Sequence, residues 1–286
     1  MFARPHHDLI LAQPRYYDIA FDTRDLETEC GFLSHLSRHL GRGRFDSFLE
    51  TCCGPGFHMH WFAAHGVRAY GIDMVPEMVA YAQEKACRLA QQVDPTALPT
   101  DAGRNGLAHP PLAMPLQADP HDFVLPEAVD LAFCPRSALR YLLEDGEVIA
   151  HLVVMAKNLG RGGLYVLELE HPAHLFGQRP DPDRTWETVR DDVRIRVQRG
   201  ADDEKIDPLT HVTDVELVLE IEEEGRCQVL RDHAPMRSFT YRELRALVSV
   251  SGVFDWVATF GDLEITQPFD MSEGARRMVP VLRCSV

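Results

Sequence analysis

Apolar positions along the chain follow two periods, and the change from one to the other divides it. Residues 26–170 mix helical spacing with short apolar runs of strand length, whereas from Trp186 to Arg237 apolar and charged residues alternate. Leu26–Leu40 carries Phe32, Leu33, Leu36 and Leu40 at helical spacing and stops at Gly41-Arg42-Gly43, which predicts an amphipathic helix. The apolar run Phe45–Leu49, closed by Glu50, is short enough for a buried parallel strand; the turn Thr51-Cys52-Cys53-Gly54-Pro55-Gly56 and a helix follow it. A second strand, Val67–Ile72, ends on Asp73, and the next helix runs to about Gln91. Further strands are expected at about Leu112–Ala118, Val129–Cys134 and Leu164–Leu169. A helix at about Asp145–Asn158 and the turn Arg161-Gly162-Gly163 lead into the last of these.

In the period-two region Val193, Ile195 and Val197 alternate with charges, as do Val215, Leu217, Leu219 and Ile221. A turn at Glu223-Glu224-Gly225 joins the second run to Gln228-Val229-Leu230, so the region reads as an antiparallel insertion. Thr240 with Glu243 marks the start of a final helix, Tyr241–Val250, before closing strands near Phe254–Phe260 and Met278–Arg283. Strands alternating with helices give an α/β class: a doubly wound, Rossmann-like, seven-stranded sheet with an inserted small antiparallel β flap. The expected units are 1–184, an N-terminal lid helix and cofactor-binding core; 185–238, the flap; and 239–286, which completes the core. Residues 94–115, rich in proline and containing Gly103 and Gly106, carry no period and read as a long loop beside the ligand edge.

The first turn carries the ligand chemistry. Gly54 and Gly56 lack a Cβ, so the main chain can take positive φ and let a ligand lie against it at a helix N-terminus. Asp73, at the tip of the second strand, is placed to accept from both hydroxyls of a ribose. A dinucleotide fingerprint would need a third glycine where Met59 stands, and no lysine lies near Gly54 or Gly56 to serve a phosphate loop. A ligand with a ribose and a zwitterionic tail but no phosphate remains, and S-adenosylmethionine fits.

The motifs L-E-T-C-C-G-P-G and G-V-R-A-Y-G-I-D-M-V-P-E-M-V-A-Y-A resemble the first two motifs of class I S-adenosylmethionine-dependent methyltransferases, and Gln117-Ala118-Asp119, VDLAFC at 129–134 and LGRGGLYVLEL at 159–169 resemble the later strands in order. The resemblance implies that Glu50, Cys52, Cys53, Gly54 and Gly56 border the methionine moiety and that Asp73 holds the ribose. It also implies that Met74 and Met78 border adenine, that Asp119 accepts from the adenine amino group, and that Cys134 and Pro135 lie at the fourth strand tip beside the cofactor. Pro120 departs from the pattern, because the residue there usually offers adenine a backbone N–H and proline has none. The segment Arg15–Phe21 resembles an aromatic lid. A looser likeness to amino-sugar and antibiotic N-methyltransferases implies a small-molecule acceptor under the flap, with a homodimer contact as the flap's alternative role.

Composition narrows the partners. Lys and Arg total 29 against 44 Asp and Glu, a formal charge of -15, and the basic residues form no run that would hold nucleic acid. Seven cysteines without a C-x-x-C pair, and no apolar stretch of membrane-spanning length, point to a reduced, cytoplasmic protein away from membranes. Cys52, Cys53, His58 and His60 are too poorly matched in direction for a metal site, so no metal is expected.

Methyl transfer from a sulfonium needs alignment more than a nucleophilic side chain, and a base only when the acceptor arrives protonated. Candidates stand at the tips of strands four and five and on the lid. His171, fixed by Pro172, is the first choice for the base, with Tyr17 beside it; Arg136, Glu170 and Tyr16 are candidate acceptor contacts. The expected activity is methyl transfer to a nitrogen or oxygen of a small molecule. A non-catalytic cofactor-binding scaffold and a nicotinamide-dependent oxidoreductase are the competing readings.

Overall fold

A computed structural model describes residues 8–43, 45–92, 113–175, 177, 184–201 and 204–286. Three helices come first: α1 (Asp8–Leu11), α2 (Pro14–Phe21) and α3 (Leu26–Leu40). The core then alternates β1 (Ser47–Thr51), α4 (Phe57–Ala64), β2 (Arg68–Asp73), α5 (Pro76–Gln92), β3 (Ala113–Gln117), β4 (Val129–Cys134), α6 (Asp145–Asn158) and β5 (Leu159–Leu167). A short β6 (Leu169–Glu170) and α7 (Pro172–Leu175) lead to the antiparallel strands β7 (Thr185–Arg190), β8 (Val193–Arg199), β9 (Val212–Glu223) and β10 (Arg226–Arg237). The chain closes with α8 (Tyr241–Ser251), β11 (Phe254–Phe260) and β12 (Arg277–Cys284).

The main sheet runs β11-β12-β5-β4-β1-β2-β3, with β6 pairing to β12. Strands β1 to β5 are parallel, and β12 enters antiparallel between β5 and β11. The order reverses beside β1, which opens the crevice at the strands' carboxyl ends where such sheets bind ligands. β1 is buried along its whole length, and the wholly apolar stretch Leu131–Phe133 of β4 is fully buried, as strands covered on both faces require. Sequence boundaries hold closely for Leu26–Leu40, Val129–Cys134 and Asp145–Asn158, while β1 begins two residues later than expected. Most of the expected loop at 94–115 lies outside the described residues, which resume at Ala113 in β3.

Met59, where a dinucleotide fingerprint has glycine, is fully buried against β2. A Cβ on Gly71 would sit 2.8 Å from the Met59 sulfur, so the close approach of α4 to the sheet is kept by a glycine on the strand instead of one on the helix.

The second sheet, β10-β9-β8-β7, lays Val193, Ile195, Val197, Leu217, Leu219 and Ile221 against Ile10, Ile19, Phe21 and Phe57. Its apolar face is therefore covered by the chain's own N-terminal helices and by the start of α4. The β9–β10 turn has positive φ at Glu224 (50°) and Gly225 (71°), the backbone of a tight two-residue hairpin. Polar ties fix α1 and α2 to this flap: Asp232 accepts the Ile10 N–H at 2.7 Å, the Trp186 indole donates to Ala20 O at 2.6 Å, and Arg190 pairs with Asp18 at 2.6 Å. Among the described residues no helix is long and apolar enough to cross a membrane.

Candidate active site

The β1–α4 turn is held in shape by Asp73. Its Oδ2 accepts the Gly54 N–H at 2.8 Å and its Oδ1 accepts the Val75 N–H at 2.9 Å, which ties the turn to the tip of β2. Gly54 has φ 51° and Cys52 φ 50°, so the turn bends through left-handed conformations twice. Gly56 (φ 76°) heads α4, and a Cβ there would strike the Met59 side chain at 2.5 Å.

Over this turn opens a cavity of about 200 Å³. Glu50, Cys52, Cys53, Gly54, Asp73, Met74, Met78, Pro120, Cys134, Pro135 and Arg136 all contribute to its wall, as do Tyr17, Tyr141 and His151. Gly56 is absent from that wall and acts on the backbone. Asp119 is absent too: its Oδ1 accepts the His121 N–H at 2.9 Å within its own turn, and Pro120 and His121 line the cavity in its place. The carbonyl of Pro120 accepts from His151 Nδ1 at 2.9 Å, while His151 Nε2 meets the Tyr165 hydroxyl at 2.7 Å. Burial pushes the His151 pKa down to about 4, so the ring is neutral and takes the hydroxyl proton at Nε2.

These residues fit an adenosyl donor. Burial raises the Asp73 carboxyl above its ordinary range although the Val75 and Gly54 N–H groups donate to it, and its remaining lone pairs can take further donors such as ribose hydroxyls. Met74, Val75, Met78, Leu139 and Leu142 supply an apolar end for a base. Burial also raises the Cys52 and Cys134 thiols, Cys134 to about 11, so neither is a thiolate at neutral pH.

A second cavity of about 480 Å³ lies between the sheet edge and the flap. It shares Leu11, Tyr17, Arg136 and Tyr141 with the first, so those four side chains form the wall between them. Arg136, in a left-handed conformation (φ 53°), donates its N–H to Glu168 at 2.8 Å and its guanidinium to Phe21 O. The guanidinium also lies 5.1 Å from the Phe21 ring centroid and 5.3 Å from that of Phe57. Burial and then the neighbouring Arg24 push its pKa down to about 10. Burial raises the Tyr17 phenol, which therefore keeps its proton.

Two candidates from the sequence stand elsewhere. Tyr16 donates to Glu223 at 2.7 Å on the flap hairpin and lines neither cavity. His171 is 4% exposed and likewise lines neither: its Nδ1 accepts the Ala173 N–H at 3.1 Å, its Nε2 donates to Asp270 O at 3.1 Å, and its ring packs on Phe269. Pro172 does fix the imidazole, but with both nitrogens on main-chain partners and away from the cleft. Glu170 lines the second cavity, with Oε1 between Arg140 (2.7 Å) and Arg199 of the flap (2.5 Å).

Sequence reasoning missed a buried polar chain behind both cavities. Glu50 accepts the Met59 N–H at 2.8 Å and meets His58 Nδ1 at 2.9 Å; His58 Nε2 meets Glu29 at 2.8 Å. Glu29 pairs with Arg24 at 2.6 Å, Arg24 with Glu168 at 2.8 Å, and Glu168 with Arg277 at 2.8 Å. The members come from the α2–α3 connection, α3, β1, α4 and the β5 and β12 ends, so no local spacing announces them.

Comparison with known proteins agrees with this geometry. Residues 48–108 match the family model described as a methyltransferase domain. A S-adenosylmethionine-dependent methyltransferase from Clostridium acetobutylicum superposes with TM-score 0.68 at 12% identity over 95% of this chain and 97% of that one. The sugar N-methyltransferase KedS8 from Streptoalloteichus gives 0.66 at 19% identity over 100% and 96%. CalS10, an amino pentose methyltransferase from Micromonospora echinaspora solved with bound S-adenosylmethionine, gives 0.61 at 16% identity over 94% and 96%. No curated protein matches the chain. Residues 48–108 thus match a methyltransferase domain, and the chain as a whole shares its fold with S-adenosylmethionine-dependent methyltransferases.

Proposed function

We propose that the protein transfers a methyl group to a nitrogen or oxygen of a small molecule seated in the cavity between sheet and flap. The carrying observation is the shared wall: Tyr17, Arg136 and Tyr141 face both the adenosyl cavity and the larger one, so two occupants would meet there. The similar sugar N-methyltransferase and amino pentose methyltransferase support a small acceptor.

When bound, the sulfonium supplies an already activated methyl group, and the residues of this chain have to align the partners and keep water out. The Asp73–Gly54 tie fixes the turn under the donor. Tyr17, protonated and half-buried, orients an acceptor lone pair and does not withdraw its proton. The acceptor atom forms its bond to carbon as the carbon–sulfur bond breaks, the electron pair stays on sulfur, and the acceptor's proton leaves to solvent or to a carboxylate of the larger cavity.

The flap serves as the acceptor's cover, fastened to the core by Arg199–Glu170, and the dimer role is the weaker reading because the flap's apolar face already packs on α1 and α2. The test combines calorimetry with S-adenosylmethionine and a screen of amine and hydroxyl metabolites, read by mass for replacement of one hydrogen by methyl. A methylated product with release of S-adenosylhomocysteine is expected. A chain that binds neither cofactor form would overturn the reading.

A further inference from the structure

The larger cavity differs in charge from the rest of the molecule. Arg24, Arg136, Arg199, Arg276 and Arg277 line it against Asp25, Glu29, Glu168 and Glu170, so its wall is net positive in a chain of formal charge -15. Four of these arginines do not single out a ligand. Arg199 and Arg277 are paired with carboxylates, Arg136 is held by Phe21, and Arg276 is exposed at the rim.

Arg24 is different. Its side chain is 8% exposed, its Nε donates to Glu29 at 2.6 Å and its Nη1 to Glu168 at 2.8 Å. Its Nη2 has no partner among the described residues. Two buried carboxylates fix the plane of the fork, so the remaining nitrogen is held in direction as well as in place. A buried donor left without an acceptor is unfavourable, and an occupant of the cavity that reaches it removes that penalty. Glu29 also meets His58, which it shares with Glu50, and Glu168 also meets Arg277, which it shares with Asp262, so Arg24 is held from both sides by a continuous ion-pair chain.

We propose that the acceptor carries an oxyanion, carboxylate or phosphate, that accepts a hydrogen bond from Arg24 Nη2, while the atom to be methylated lies at the Tyr17–Arg136 end. This rests on the reading that the cavity holds the acceptor. Arg24 lines the larger cavity alone, whereas Tyr17 and Arg136 line both, so recognition and reaction occupy different ends of the same molecule. A cationic acceptor with no acidic group is thereby selected against.

The carboxylate of the donor's own methionine tail presents the same chemistry, and the experiment separates the two sources. Inorganic phosphate and, separately, acetate are titrated calorimetrically into the full chain saturated with S-adenosylhomocysteine. The titrations are repeated with Arg24→Lys, which keeps a cation between the two glutamates but removes the fork. The expected result is saturable binding of one anion at one site, weakened at least tenfold in Arg24→Lys, with S-adenosylhomocysteine affinity within twofold of wild type. Preference for phosphate or acetate then assigns the acidic group.

Absence of saturable binding, or equal binding by the variant, overturns the proposal. So does a tenfold loss of S-adenosylhomocysteine affinity in Arg24→Lys, which would give Nη2 to the donor's tail. Should the variant not fold, wild-type crystals soaked in selenate decide: an anomalous peak at Arg24 Nη2 supports the assignment, and its absence there refutes it. Wild-type protein that fails to bind S-adenosylhomocysteine would sink the methyltransferase reading itself, a distinguishable result.

Discussion

His58 Nδ1 stands 2.9 Å from a carboxylate oxygen of Glu50, and both side chains are 1% exposed. With Glu29 at the other ring nitrogen, each nitrogen faces an acceptor, which is the arrangement of an imidazolium between two carboxylates. Burial alone would lower the His58 pKa, but the Glu50 charge and the hydrogen bonds to Glu29 and Glu50 outweigh it and raise the value above 6.5.

The raised value fixes the sign of a pH effect. Stabilisation by the imidazolium is fully present below the unfolded value of 6.5 and is lost as pH rises through the higher folded value. Urea unfolding of wild type should therefore show stability falling on the alkaline side of neutrality. His58→Gln should flatten that limb and lose about 3–5 kcal/mol at the acid end, because two buried carboxylates lose their cation. An unchanged alkaline slope in the variant would count against the imidazolium.

Asp73→Asn should weaken S-adenosylmethionine binding about 100-fold, from two charge-assisted hydrogen bonds of about 1.5 kcal/mol each to ribose. Calorimetry measures this directly. An affinity within threefold of wild type would remove Asp73 from the ribose site.

Tyr17→Phe should lower kcat about tenfold or more on an acceptor found by the metabolite screen, while leaving cofactor affinity unchanged. Because burial holds the phenol protonated, the wild-type rate should show no ionisation of this group near neutrality. Equal kcat in the variant would reduce Tyr17 to a packing residue.

His171→Ala should reduce stability by about 1–3 kcal/mol through its two lost main-chain partners, with turnover per folded molecule within twofold of wild type. Active-site titration against released S-adenosylhomocysteine makes the comparison. A hundredfold loss per folded molecule would return the imidazole to the chemistry.

The core was legible because its signals are local. A strand, a glycine turn and an acid at a strand tip lie within 30-odd contiguous residues, and capping at Thr240–Glu243 or the stop after Leu40 is likewise written in neighbours. The acceptor side was not, since its wall is assembled from α1, α2, α3, β6, the flap and the start of β12. His171 shows the limit. Its position after the fifth strand reads correctly, yet the direction of its ring is set by Asp270, some 100 residues on. Arg24 and Glu29 carry no motif at all and acquire meaning only when β4 and β5 bring Glu168 beside them.

Helix α2 faces both cavities through one tyrosine and is anchored to the flap through Asp18, Ala20 and Tyr16. With donor and acceptor seated as proposed, Tyr17 stands between them, a position that favours compulsory sequence in loading and discharge over independent exchange. Trp186→Phe, which cuts the indole bond to Ala20, should quicken the escape of both ligands together in stopped-flow displacement; acceleration of only one would mean two separate doorways.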